Sequence, residues 1–193
     1  MACGLLTKGR GLDCNRISGG IKNIYFAVYD QVLSTTLGAG ADLGSITDID
    51  MGASSLYRYT MPLGVSSLTD TITGSRENGT IFYTPTINII LNRLTKEDQN
   101  EIKLLGATRT IIFAELNATL ATNGHNVIVC LGRVNGMELN AGTMDSGAAW
   151  GDRGGYTLTF DGLEQEPFLM VKDYTDTPFD NSDSGAQIPI DPS

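Results

Sequence analysis

The chain holds a single histidine, His125, and three cysteines, Cys3, Cys14 and Cys130, so an imidazole-assisted serine or cysteine nucleophile would have to use His125. His125 adjoins the turn pair Asn123-Gly124 and reads most simply as a surface residue at a strand edge. Cys3, Cys14 and His125 are the soft ligands a metal would need, but no Cys-x-x-Cys spacing gathers them, and Cys130 lies in the apolar run 127–131 as a small core residue. Asp48 and Asp50 fall short of a calcium loop, because the third acid and the distal glutamate are missing. Glu164 and Glu166, beside a strand, read as rim charges rather than as a glycosidase pair. Gly38, Gly40 and Gly44 have neither the spacing of a dinucleotide loop nor a strand-turn-helix unit around them. The sequence therefore assigns no catalytic residue, metal or cofactor, and the expectation moves from an enzyme to assembly or binding.

Charge is the second filter. The 193 residues carry 22 acids against 13 Lys and Arg, a net of −9, which excludes a basic nucleic-acid reader. That charge is polarised along the chain. Lys8, Arg10, Arg16 and Lys22 against Asp13 give residues 1–22 a net of +3, whereas residues 134–193 hold eleven acids and two bases, a net of −9. Such a pattern is either a solvated acidic tail or a complementary pair of ends. In the second case the basic arm (Lys8, Arg10, Arg16, Lys22) meets Asp173, Asp176 and Asp180 of a neighbouring copy, and copies carrying both halves stack head to tail. The N-terminus lacks a basic region followed by an apolar run, and the longest apolar runs are far shorter than the roughly 20 residues of a membrane span. These features predict a soluble protein made in a cytoplasm, without membrane insertion. An odd number of cysteines in that compartment argues against a disulfide framework.

The elements that must position these residues are mostly strands. Gly (23) and Thr are abundant and charged residues are only 18%, a balance that favours strands and tight turns over helical bundles. Residues 21–29 predict a strand with two apolar faces, Ile24, Phe26 and Val28 on one and Tyr25, Ala27 and Tyr29 on the other, so it is central or interfacial and needs a cover. Further strands are expected at 56–63, at 80–91 with Pro85 on an edge or at a bulge, at 108–116, at 126–131 and at 168–171. Tyr156, Leu158 and Phe160 mark a one-sided strand. Residues 37–55 read as a loop with a short strand at 46–51, and residues 65–76 as a flexible or hairpin-like stretch. Thr95, with Asp98 three places on, opens one helix at 96–105 that Gly106 stops. Asn135-Gly136 closes a tight hairpin into 137–140, and Trp150 is expected to anchor a loop in the core. The fold class is mainly β, a β-sandwich or barrel with one flanking helix, long loops and extended terminal arms. Residues 1–20 form an arm, 21–172 a single domain, and 173–193 an acidic tail, extended or mobile unless ordered by a neighbour.

The last third carries a pattern of turns and strands: Val134-Asn-Gly136-Met-Glu-Leu-Asn-Ala-Gly142, then 143–147, Asp152, Gly155-Tyr-Thr-Leu-Thr-Phe160, Glu164 and Pro167. Over residues 124–171 this order resembles the tail tube (major tail) proteins of long-tailed bacteriophages, and it looks like the end of related structural proteins in phages of Bacteroidetes-type hosts. The resemblance implies a β-sandwich or barrel whose hexameric rings stack into a tube around the genome, with loops and terminal arms bridging subunits. It carries over no catalytic residue. It implies partners of three kinds: other copies of the chain, other phage tail proteins, and genomic DNA as a non-specific passing cargo. The location it implies is the virion tail, after synthesis in the bacterial host cytoplasm. The Cys-bearing arm and the long acidic tail depart from that pattern. An acidic wall suits such a conduit, because fixed negative charge repels phosphates. The competing reading is a capsid decoration or carbohydrate-binding β-sandwich module of a virion, with Trp150 and nearby tyrosines exposed as a platform. A hydrolase using His125 ranks last.

Overall fold

A computed structural model of the chain describes residues 18–120 and 123–192. Strands take up 51% of it and helices 9%, so the mainly-β expectation with a single α-helix holds. In chain order the elements are β1 (Ile21–Val28), β2 (Ser34–Leu37), β3 (Ser45–Asp50), β4 (Leu56–Thr60), β5 (Ser67–Ser75) and β6 (Thr80–Asn92). They continue with α1 (Lys96–Leu105), β7 (Thr110–Thr119), β8 (Asn126–Leu131), β9 (Glu138–Asp145), β10 (Gly155–Asp161), β11 (Leu169–Val171) and β12 (Ile190–Pro192). Eight strands form one sheet in the order β12-β4-β1-β7-β8-β11-β3-β2, and four form a second in the order β5-β6-β10-β9.

The two faces of β1 explain the layering. Ile24 and Phe26 join Ile112, Ala114, Val129 and Leu131 of the large sheet against Ile87, Ile89, Tyr156, Leu158 and Phe160 of the small one, which makes the sandwich core. Tyr25 and Ala27 point the other way, into a second cluster with Ile46, Ile49, Leu56, Ile111, Phe113 and Cys130. β3 and β4 both reach this cluster although four strands separate them in the sheet, so the sheet curves around it. Helix α1 closes one end of the sandwich core through Ile102 and Leu105. Its N-cap is the one expected, with the Asp98 N–H donating to Thr95 Oγ1 at 3.1 Å.

Several expectations need correction. Residues 173–192 are neither mobile nor dependent on a neighbour. Phe179 and Ile188 are buried in the second cluster, β12 pairs in parallel with β4, and the Ile49 N–H donates to the Ser182 carbonyl at 2.5 Å. The second apolar face of β1 is thus covered by the chain's own C-terminal segment. The stretch at 65–76, read as flexible or hairpin-like, is the first arm of a hairpin: β5 is a nine-residue strand in register with β6 from Ser67↔Asn88 to Ser75↔Thr80. Pro85 lies in an interior strand, with β5 on one side. It is tolerated because β10 ends at Asp161↔Thr86, and beyond that point the Gly162 N–H donates to the Pro85 carbonyl. Asn135-Gly136 does not close a hairpin. β8 and β9 belong to different sheets, and the turn carries the chain across the sandwich with Gly136 at φ +81.

Candidate functional site

Along each strand of the small sheet, alternation sends one set of side chains into the core and the other to solvent. The solvent set on β5 is Ser67, Thr69, Thr71, Thr73 and Ser75, and register places Thr84, Thr86 and Asn88 of β6 beside it. Thr157 and Thr159 of β10 and Thr143 of β9 continue the same face. Thr159 Oγ1 donates to Asn88 Oδ1 at 2.7 Å, and Asn140 Nδ2 donates to Asp161 Oδ2 at 2.8 Å, so neighbouring strands tie this face together. None of the four strands contains a lysine or an arginine, and the carboxylates on them are Asp70, Glu138, Asp145 and Asp161. The result is a sheet face rich in hydroxyls and amides, interrupted by Phe82 and Ile90 of β6 and flanked by Arg153, which donates to Thr157 Oγ1, and Arg109, which donates to Glu138 Oε1. The sheet's edge strands β5 and β9 pair only with β6 and β10 and have no second partner strand among the described residues. The β5–β6 hairpin overhangs the core, leaving Ile72, Ile81 and Phe82 exposed.

The expected interface residues fall in different places. Lys8, Arg10 and Arg16, with Cys3 and Cys14, lie outside the described residues. Lys22 is engaged within its own chain, where Nζ donates to Glu115 Oε1 at 3.0 Å and to Asn126 Oδ1 at 2.8 Å. Glu115 is fully buried and its other oxygen accepts from Asn23 Nδ2 and Tyr25 Oη, which makes a satisfied buried carboxylate. Burial and this carboxylate push the Tyr25 hydroxyl well above its ordinary pKa. Lys22 and Asp176 line one open cavity of about 540 Å³ together with Arg58 and Tyr174, so one base of the expected arm and one acid of the C-terminal segment lie near each other within one molecule. Asp180 caps the turn before it. Burial opposes its charge, but the N–H groups of Asp176, Thr175 and Thr177 outweigh this and hold its carboxyl below the usual range. Asp173 accepts from Asn123 Nδ2 and sits 3.0 Å from His125 Nδ1, while the His125 ring stacks on Tyr174 at 4.5 Å.

His125 is therefore a half-buried clasp between the β7–β8 turn and the C-terminal segment rather than a free strand-edge residue. Its partners among the described residues include no serine or cysteine. Glu164 is not a rim charge either. It is buried and accepts the Asn135 N–H at 2.8 Å and the Val134 N–H at 3.3 Å, thereby fixing the turn that crosses between sheets. Its burial raises the carboxyl pKa, against the opposing pull of those N–H groups and of Arg133. Glu166 does lie at the rim, 2.7 Å from Arg133. Cys130 is the small core residue expected, its thiol pushed up by burial. No group of metal-ligating side chains occurs among the described residues. Among them, too, no helix is long and apolar enough to cross a membrane.

Trp150 overturns its expectation most completely. It is fully exposed in the β9–β10 loop, which is ordered by its own acids: Asp152 Oδ2 accepts from the Ala148 and Ala149 N–H groups, and Asp145 Oδ1 from Gly147. Sequence reasoning weighed Trp150 as a core anchor because tryptophan usually is one. The Ser-Gly-Ala-Ala before it and Gly-Asp after it were the available sign of a tight surface loop. The hydroxyl face was also missed, although the alternating threonines of 67–75 and 157–159 spell it out once both stretches are known to be strands. No family model matches the chain, and no curated protein or solved structure matches it either.

Proposed function

We propose that the protein is a structural virion protein, a tail tube subunit whose stacked rings surround a channel for genome passage. The observation that carries this reading is the hydroxyl-rich face of the small sheet between two open edges, whose strands hold no lysine or arginine and whose flanking Arg109 and Arg153 are hydrogen-bonded to Glu138 and Thr157. Joining β5 of one copy to β9 of the next extends the sheet head to tail and, on closing, removes every free edge from it. The lining of such a barrel offers DNA mainly hydroxyls and a few carboxylates, with Arg153 and the Glu138-paired Arg109 as the cations at its margin, so a phosphate backbone is held weakly and slides. The count of six copies, the other tail proteins as partners and the virion location come from the resemblance of residues 124–171 to tail tube proteins. Electron microscopy of the purified chain tests the reading. Rings or tubes are expected, and a strictly monomeric species across salt and concentration overturns it.

The exposure of Trp150 favours a second reading, a capsid decoration or carbohydrate-binding module. A sugar platform wants a second aromatic beside the first, and the 146–154 loop has none. Protection of Trp150 from a quencher by glycans, but not by raised protein concentration, would select this alternative.

A further inference from the structure

Trp150 is an apolar knob on a prebuilt support. Besides the carboxylate bonds of Asp152 and Asp145, the Asp152 N–H donates to the Ala149 carbonyl at 3.0 Å, and the loop base is tied by the Arg93 N–H to the Gly154 carbonyl at 2.8 Å. An exposed indole held this way loses little conformational freedom on binding. The same molecule carries a matching hollow between α1 and β4. There Tyr57 and Tyr59 of β4, Phe26 of β1, and Leu104 and Leu105 of α1 line a groove of about 210 Å³, roomy enough for one indole. The Trp150 loop contributes nothing to its lining. Leu104 and Tyr57 are exposed there, so the groove is an uncovered apolar surface on an otherwise polar helix.

Charge says what fits it. Glu101 stands at the groove, and Asp98 lies one turn earlier on the same helical face. After burial, these two carboxylates are what push the Tyr59 hydroxyl up to about 12, which places both close to the groove wall. The knob is followed by Arg153, exposed and hydrogen-bonded to Thr157 Oγ1 at 2.8 Å. An acidic rim around an apolar hollow thus complements a cation beside an apolar knob, with Glu101 also available to accept the indole N–H.

We infer that Trp150 of one copy docks into the groove between α1 and β4 of a second copy, with Arg153 against Glu101 and Asp98. The knob and the hollow are built from different residues, so the contact is heterologous, and each copy carries both halves of it. This rests on the self-assembly part of the proposed function and adds the contact that holds neighbours together.

The chain has one tryptophan, so its fluorescence reports this site alone. On raising concentration until particles form, Trp150 emission should shift to the blue and acrylamide quenching should fall. Trp150→Ala and Leu104→Asp should each keep the circular dichroism of the parent, since both side chains are exposed, and each should weaken assembly by ~30-fold or more. Mixing the two variants should assemble better than either alone and worse than the parent, because a mixed pair retains one intact knob and one intact hollow. Arg153→Glu should weaken assembly and Glu101→Arg should restore it. If particles form with the Trp150 spectrum unchanged, or if Trp150→Ala assembles as well as the parent, the contact is wrong and the tube reading stands. If the chain never assembles, both fall.

Discussion

Phe179 holds a left-handed backbone conformation, φ +64, that a bulky side chain rarely takes, and the surrounding packing is what fixes it. Its ring meets Tyr25 edge-on at 5.1 Å and Phe113 at 5.4 Å. Phe179→Ala should therefore cost roughly 3–5 kcal/mol, read as a lower urea midpoint, and a loss below about 1 kcal/mol would show that the segment contributes little to stability. Lys22 follows the same logic with charge. Lys22→Glu sets a second carboxylate against buried Glu115 and removes one of its donors, so a destabilisation of roughly 1–3 kcal/mol is expected, measured by thermal melting. The sequence reading placed Lys22 in a basic arm that meets a neighbouring copy, because nothing in a linear charge count reveals a buried partner 93 positions away. Two carboxyls set the pH response in opposite directions. The lowered Asp180 carboxyl supports the fold above the ordinary aspartate range and loses that support as pH falls through its own pKa. The raised Glu164 carboxyl favours the fold below the ordinary glutamate range and loses that contribution as pH rises through its own pKa. Asp180→Asn should flatten the acid limb of a stability–pH curve, and Glu164→Gln the limb approaching neutrality; unchanged limbs would contradict these assignments.

At the scale of elements, the C-terminal segment matters most. Residues 173–192 supply Phe179 and Ile188 to the second core and β12 to the edge of the large sheet, so ending the chain at Lys172 should expose that core. The expected result is an aggregating or dye-binding product, whereas a soluble, cooperatively melting fragment would show that the segment is an accessory. The sequence hid this because the segment has no period: its two buried apolar residues, nine positions apart among acids and turn residues, look like a solvated tail. Periodicity worked where one face is buried for a whole strand, as in Tyr156-Thr-Leu-Thr-Phe160, and where a cap and a stop frame a helix, as at Thr95 and Gly106. It failed for β5, where the overhanging hairpin leaves Ile72 as exposed as its threonines and no burial contrast remains. The two-faced apolar pattern of β1 was legible, but not the identity of its cover, since any apolar surface, internal or from another copy, satisfies that demand equally.

For the whole molecule, the net charge of −9 says less than its distribution over surfaces. The small sheet is where a charge change tests function with least damage to folding, because Thr71, Thr86 and Thr159 face solvent on three adjacent strands and bear on no core. Replacing these three with lysine leaves the sandwich packing untouched, so the variant should fold and form the same particles as the parent. It should also convert a non-gripping wall into one that holds phosphates. The parent particles are expected to leave DNA mobility unchanged in a gel, and the triple-lysine particles to retard it at low salt and release it as salt rises, in the manner of counterion-driven binding. Placing the same three lysines on the β2–β3 hairpin, in assembled particles, should have far less effect on DNA already threaded through them. Equal retardation from both sets would mean that the hydroxyl face does not line a channel, and the protein would then have to be read as a surface module of the particle rather than as its tube.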